Sequence, residues 1–168
     1  MAVDWSELYR TTYGDLVRFL YRKVWDADQA HDLAQETFMR ALDHHPDNPR
    51  AWLFTVAVNL ARDEVRIVLR RKKHLALIKS ESAASAETPD AAAELERKED
   101  AALVRRALEQ LSEQDREVLL LWDAGLNYQE IAAQTSLAVG AIGTTLARAR
   151  RRLVEAFKRG EGGNVASG

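Results

Sequence analysis

Apolar positions recur along this chain at helical spacing and almost nowhere in the two-residue alternation of a strand. Leu8, Thr12, Leu16, Leu20 and Val24 fall four apart, which predicts a first helix with one buried stripe. Asp4 and Glu7 ahead of the stripe form a capping-box pair, each able to accept from a free backbone N–H. Asp26 and Gln29 repeat that pattern before a second helix. Its inner face is Ala30, Leu33, Ala34, Thr37, Phe38, Ala41 and Leu42, and its outer face is Asp32, Gln35, Glu36, Met39 and Arg40. A polar loop runs from Asp43 to Asn48. Asn48 then caps a third helix, with Pro49 at the first position, where a missing N–H does no harm. Trp52, Leu53, Val56, Ala57, Leu60 and Ala61 form its core face. The helix is expected to reach Lys73, whose charge suits the negative end of the helix dipole.

The apolar period is lost between Lys79 and Ala93, in a stretch of Ser, Ala and Glu around Pro89. This reads as a linker long enough to let two domains move independently. Helix resumes after Pro89 and runs to about Gln110. Ser112 opens another helix, with Val118, Leu119, Leu121 and Trp122 facing inward and Gly125 ending it. Asn127 and Glu130 cap a short helix that stops near Gln134. A turn from Thr135 to Ala138 leads into a last helix with Ile142, Leu146, Ala149, Leu153 and Phe157 on one side. The Gly-rich tail after Gly160 is expected to be disordered. The fold class is therefore all-α: two small helical domains, residues 1–75 and 97–160, joined by a flexible linker over 76–96. The second domain ends in a helix-turn-helix, and 161–168 form the tail.

Composition narrows the function. The 168 residues allow two very small domains, each a compact bundle. Absence of cysteine excludes disulfides, thiolate metal sites and a cysteine nucleophile. The first residues carry Asp4 and Glu7 and no apolar run, so no signal peptide is expected, and no apolar stretch is long enough to span a membrane. The net charge of −2 argues against nucleic acid until it is resolved along the chain. Residues 1–73 carry 12 Lys/Arg against 11 Asp/Glu, residues 74–100 carry 3 against 7, and residues 101–168 carry 9 against 8. Acid is concentrated in the middle. Base is clustered at Arg70-Arg71-Lys72-Lys73 and from Arg148 to Arg152.

The segment from Tyr128 to Arg152 has the plan of a helix-turn-helix: a short helix, a four-residue turn and a longer helix. Ile131, Leu137, Ile142 and Leu146 would pack the pair. The second helix would expose Gly140, Gly143, Thr144, Ala147, Arg148, Arg151 and Arg152, a set that suits a major groove. On the third helix, Arg62, Arg66 and Arg70 are four apart and Lys73 follows, with Asn59 and Asp63 beside the row. Spacing alone fits phosphate contact and a solvated face with internal ion pairs equally well. His44 and His45 sit in a loop without ligand spacing, and His31 followed by Asp32 reads as solvated surface. No nucleophile elbow or phosphate-binding loop is present, and Asp32 with Glu36 fits a surface face better than acid chemistry. No catalytic residue, metal site or cofactor is expected, and the chain reads as a non-enzyme.

Three stretches then carry a resemblance. Asp32-Leu-Ala-Gln-Glu-Thr-Phe-Met-Arg-Ala41, Ala51-Trp-Leu-Phe-Thr-Val-Ala-Val-Asn-Leu-Ala-Arg-Asp63, and Gly125-Leu-Asn-Tyr-Gln-Glu-Ile-Ala132 with Leu146-Ala-Arg-Ala-Arg150 follow in order with an acidic linker between. The chain resembles the extracytoplasmic-function sigma factors, the minimal sigma-70 class with regions 2 and 4 only, over nearly all of residues 5–158. The resemblance implies a cytoplasmic alternative sigma factor that binds core RNA polymerase, directs it to promoter DNA and helps open the −10 region. It would be a monomer in the holoenzyme, held inactive by an anti-sigma factor, with no membrane insertion. Asp32, Gln35, Glu36, Met39 and Arg40 would dock on the clamp helices of the large polymerase subunit. The loop with His44, His45, Asn48 and Arg50 would hold a flipped base of the −10 strand. Asn59, Arg62, Asp63, Arg66 and Arg70 would face the upstream −10 element. Tyr128, Gly143, Thr144, Thr145, Ala147, Arg148, Arg151 and Arg152 would serve the −35 element. The linker would thread near the polymerase active-site channel and RNA exit path. The family often has a basic residue at the place of Gly143 and a larger one at Ala147, so −35 readout here is either weaker or leans on shape and backbone contacts. A stand-alone helix-turn-helix regulator is the alternative. An adaptor using the Asp32–Arg40 face without DNA contact is a further one.

Overall fold

The computed structural model describes residues 2–76 and 91–165, and the elements among them are seven α-helices. One compact unit comprises residues 2–76 together with 123–130. The other comprises 91–122 together with 131–165.

The first unit is a three-helix bundle of α1 (Trp5–Val24), α2 (Ala27–Ala41) and α3 (Pro49–Ala76). The predicted caps are made. Asp4 accepts from the Glu7 N–H and Asp26 from the Gln29 N–H, both at 3.0 Å. Asn48 accepts from the Ala51 N–H at 3.2 Å. Each bond satisfies one donor that a helix start leaves open. Trp25 ends α1 in the left-handed conformation, φ +56, with its N–H on the Tyr21 carbonyl at 2.7 Å. A non-glycine residue there costs roughly 1–2 kcal/mol, and the tight turn lets α2 fold back on α1.

Leu16, Phe19 and Leu20 of α1 meet Leu33, Ala34 and Phe38 of α2 and Leu53, Phe54 and Ala57 of α3 in the core. Small residues at 30, 34, 41, 57 and 61 bring the helix backbones close. Phe19 and Phe54 pack edge to face, with centroids 5.5 Å apart. Thr37 is fully buried, and its hydroxyl donates to the Leu33 carbonyl at 2.7 Å, which removes the cost of burying it. Leu42, expected on the inner face, is 58% exposed because α2 ends one residue earlier. Phe54 and Val58 are buried although they lie off the predicted stripe. Beyond Ala61, α3 leaves the core and presents almost every side chain to solvent.

The second unit is built on α4 (Ala91–Glu109), α5 (Glu113–Asp123) up to Trp122, α6 (Tyr128–Thr135) from Ile131 onward, and α7 (Val139–Val165), with α4 lying along α7. Leu108, Leu111, Val118, Leu121, Ile131, Ile142, Leu146 and Ala149 form its core. Trp122, expected inside, is 38% exposed and lies under the Arg150 guanidinium at 5.6 Å. α4 begins at Ala91, as the resumption of helix after Pro89 predicts, so residues 91–96 of the expected linker are helical, while residues 77–90 lie outside the described residues. One boundary differs from expectation. Residues 161–165, read as tail, continue α7 past Gly160. A side chain on Gly160 would begin 3.5 Å from Leu103 of α4, in ordinary van der Waals range, and α4 packs along α7 here, which supports the helix through this glycine. Once formed, a helix needs only one more hydrogen bond per residue to continue.

Candidate functional site

The outer face of α2 is assembled as the spacing predicted. Asp32, Gln35, Met39 and Arg40 are exposed and Glu36 is half-buried. Met39 is 67% exposed, which is unusual for an apolar side chain in the middle of a bundle. Arg40 Nε donates to Glu36 at 2.8 Å. Beside this face a groove of about 550 Å³ runs between α1 and α2, lined by Trp5, Tyr9, Phe38, Met39 and Leu42 with Gln35 at the rim. Tyr9 stacks on Tyr13 at 4.7 Å and meets Phe38 edge-on at 5.0 Å, which stiffens the groove wall. Trp5, Tyr9 and Leu42 are the residues that sequence reasoning missed here. Their signal was available only in part, because Tyr9 adjoins the stripe of α1 and Leu42 was assigned to the inner face of α2 rather than to a groove. His31, on the same surface, shares a 3.0 Å hydrogen bond with the Tyr13 hydroxyl.

A second concavity of about 410 Å³ lies where α2 ends and α3 begins, lined by Arg40, His44, Trp52, Val56 and Asn59. It brings together two residues from the predicted −10 set, His44 and Asn59, with Arg40 from the other set. His44 Nδ1 lies 2.8 Å from the Arg40 carbonyl oxygen, so this nitrogen carries the proton and donates. Its ring is 4.9 Å from the Trp52 ring. His45 is exposed. Asn48 and Arg50 already have structural work. Asn48 caps α3, and Arg50 pairs with Asp15 at 3.2 Å and covers the Phe54 ring at 5.1 Å.

Arg62, Asp63, Arg66 and Arg70 lie exposed on the free half of α3, followed by Arg71, Lys72 and Lys73. Among the described residues no ion pair joins Asp63 to Arg66.

The helix-turn-helix forms as α6, a turn through Ser136 at φ +61, and α7. Asn127 accepts from the Glu130 N–H and Glu130 accepts from the Asn127 N–H, both at 2.9 Å, a complete capping box. Ile131 and Ile142 are fully buried. Tyr128, Thr144, Ala147 and Arg151 face outward and Gly143 is half-buried. Thr145 does not join them. It is 5% exposed, because it falls on the same side of α7 as Ile142 and Ala149, so its side chain is turned away from any groove that α7 enters.

Arg148 and Arg152 are held from below. Asp115, in the first turn of α5, is fully buried and accepts from Arg148 Nη2 at 2.7 Å, Arg148 Nε at 3.4 Å and Arg152 Nη1 at 2.9 Å. The hydrogen bond from Arg148 is the main cause that holds the Asp115 carboxyl below the usual carboxylate range, against the opposing effect of burial. The same bond pushes Arg148 up, further into its charged form. Asp115 gave no signal in the sequence, since its partners lie 33 and 37 residues away.

Comparison with known proteins matches residues 8–71 to Sigma-70 region 2 and residues 101–153 to Sigma-70, region 4. The chain is 34% identical to the ECF RNA polymerase sigma factor SigM of Bacillus subtilis, over 95% of this chain and 98% of that protein. It is 36% identical to the ECF RNA polymerase sigma factor EcfG of Rhodopseudomonas palustris, over 76% and 71% of the two chains. Among solved structures it is similar to the sigma factor RpoE of Bartonella quintana, seen in complex with the anti-sigma factor NepR. The TM-score is 0.66 at 28% identity, over 92% of this chain and 97% of that one.

Proposed function

This chain belongs to the extracytoplasmic-function sigma factors, and from that premise we propose how its surfaces divide the work of bringing core RNA polymerase to a promoter. It is an alternative sigma factor and binds core polymerase and promoter DNA, while the synthesis of RNA belongs to the polymerase. The outer face of α2, extended by the groove of Trp5, Tyr9, Phe38 and Leu42, docks on the clamp helices of the large subunit. The combination of an exposed thioether, an apolar groove and a charged rim suits the buried centre and polar edge of a protein interface.

The concavity of Arg40, His44, Trp52, Val56 and Asn59 receives the flipped −10 base. An aromatic wall and several hydrogen-bonding groups offset the few kcal/mol that extrusion costs. Arg62, Arg66 and Arg70 follow the phosphates upstream of it, and α7 enters the groove at −35 through Thr144, Ala147 and Arg151. The protein works as a monomer in a cytoplasmic holoenzyme and is restrained by an anti-sigma partner. None of the described helices is long and apolar enough to cross a membrane.

The observation that carries this reading is the pair of family matches, one in each half of the chain and in sigma order. The match over residues 8–71 is what a stand-alone helix-turn-helix regulator does not account for. Titration of labelled protein against purified bacterial core polymerase tests it. Tight one-to-one binding is expected, weakened at least tenfold by Asp32→Arg with Glu36→Lys. Binding that ignores both substitutions would remove α2 as the docking face.

A further inference from the structure

We propose that Asp115 is the specificity-determining residue beneath the −35 helix: it cancels part of the charge of Arg148 and Arg152 and fixes the orientation in which α7 presents them. The proposal rests on the reading of α7 as the −35 helix.

Two cations share one buried anion. Arg148 and Arg152 stand one turn apart on α7, and both lean onto the Asp115 carboxylate while their side chains stay 38% and 51% exposed. The backbone that carries the carboxylate is itself anchored, because the Asp115 N–H donates to Ser112 Oγ at 3.1 Å in the cap of α5. The anchor therefore belongs to a different helix from the one that meets DNA. Arg148 is gripped through Nε and Nη2, which sets the plane of its guanidinium and leaves Nη1 for a partner. Arg152 is gripped through Nη1 alone. The trio carries one net positive charge instead of two.

Both effects act on specificity. Charge on phosphates raises affinity for every DNA sequence alike. A guanidinium plane held in one orientation selects among base edges and phosphate positions. A helix with two unrestrained arginines would bind DNA more tightly and discriminate less. Asp115 trades the first for the second, which suits a protein that meets a large excess of non-promoter DNA.

The test uses holoenzyme reconstituted with core polymerase and a pool of random-sequence duplex DNA. Bound DNA is sequenced, and affinity for one unenriched duplex is followed against salt. Wild-type holoenzyme is expected to enrich an upstream sequence element. With Asp115→Asn the enriched element loses information, and the unenriched duplex binds more tightly at low salt. The slope of log K against log salt steepens by about 0.9 for the one charge uncovered. With Asp115→Asn and Arg152→Gln together, the net charge of the trio returns to that of wild type. The salt slope then recovers, while the upstream element is less informative than with Arg152→Gln alone, in which Asp115 still holds Arg148; that difference separates orientation from charge.

A variant that weakens binding to all DNA equally, with an unchanged slope and an intact enriched element, would overturn the proposal and leave Asp115 a purely structural residue. So would an element in the double variant as informative as with Arg152→Gln alone. If wild-type holoenzyme enriches a downstream element and no upstream one, the −35 reading of α7 itself fails, and the proposal fails with it.

Discussion

Replacing Asp115 by Asn keeps the size of a buried side chain and removes its charge, so it isolates what ionisation contributes to the fold of the second unit. Breaking a fully buried ion pair costs about 3–5 kcal/mol when the surviving charge is left in a dry interior. Here the survivors are half-exposed and turn to water. The loss is then closer to that of a charge-assisted hydrogen bond, about 2 kcal/mol. For a unit of this size that lowers the midpoint of thermal unfolding by roughly 8–16 °C at pH 7. The pH dependence gives the sharper reading. Asp115 is held below its unfolded value by Arg148 first and Arg152 after it. Its contribution is fully present above the unfolded value, near about 3.9, and is lost as pH falls through the depressed folded value. Thermal melts of both proteins, followed by circular dichroism at pH 7, 5 and 3, should show a full gap at the first two and a narrowed gap at the third. A gap of the same size at pH 7 and pH 3, or none at pH 7, would refute the assignment of this stability to an ionised carboxylate.

Two further outcomes check the first unit. Phe54→Ala removes a fully buried ring packed on Phe19 and should destabilise the bundle by about 3–5 kcal/mol in a denaturant titration, without altering the Asp115 gap. Leu42→Asp changes a side chain that is already 58% exposed, so stability should move by less than about 0.5 kcal/mol, while affinity for core polymerase falls about tenfold if the groove docks there.

Local chemistry was the most legible part of this sequence. Asp4, Asp26, Asn48 and Asn127 each mark a helix start because a cap depends only on residues within one turn. The outer face of α2 was readable for a similar reason: its polarity reverses cleanly against the Ala30–Ala41 stripe. The misplaced residues follow a pattern too. Thr145 lies three after Ile142 and four before Ala149, so the spacing that marks the stripe already assigned it to the inside, and its hydroxyl disguised the fact. Arg148 and Arg152 looked free because their partner lies on another helix, and no periodicity within α7 reports on α5. The glycines after 159 predict an end to α7, since each weakens a helix by about 1 kcal/mol. The packing of α4 along α7, which supports its continuation, is a tertiary contact that no count of glycines reports.

The length of α3 has a consequence of its own. Its 28 residues span about 42 Å, yet burial stops near Ala61, so the distal half is a lever without a foundation. Helical segments of about 12–15 residues are marginal in water by themselves. This half is held by propagation from the anchored end, and amide protection should decay along it turn by turn. A partner that grips Arg66 and Arg70 therefore also stops fraying. Part of its binding energy is spent on ordering the backbone. Helix propensity at solvent-facing positions such as Val65 and Val68 becomes a dial on affinity, turned by residues that touch no ligand at all.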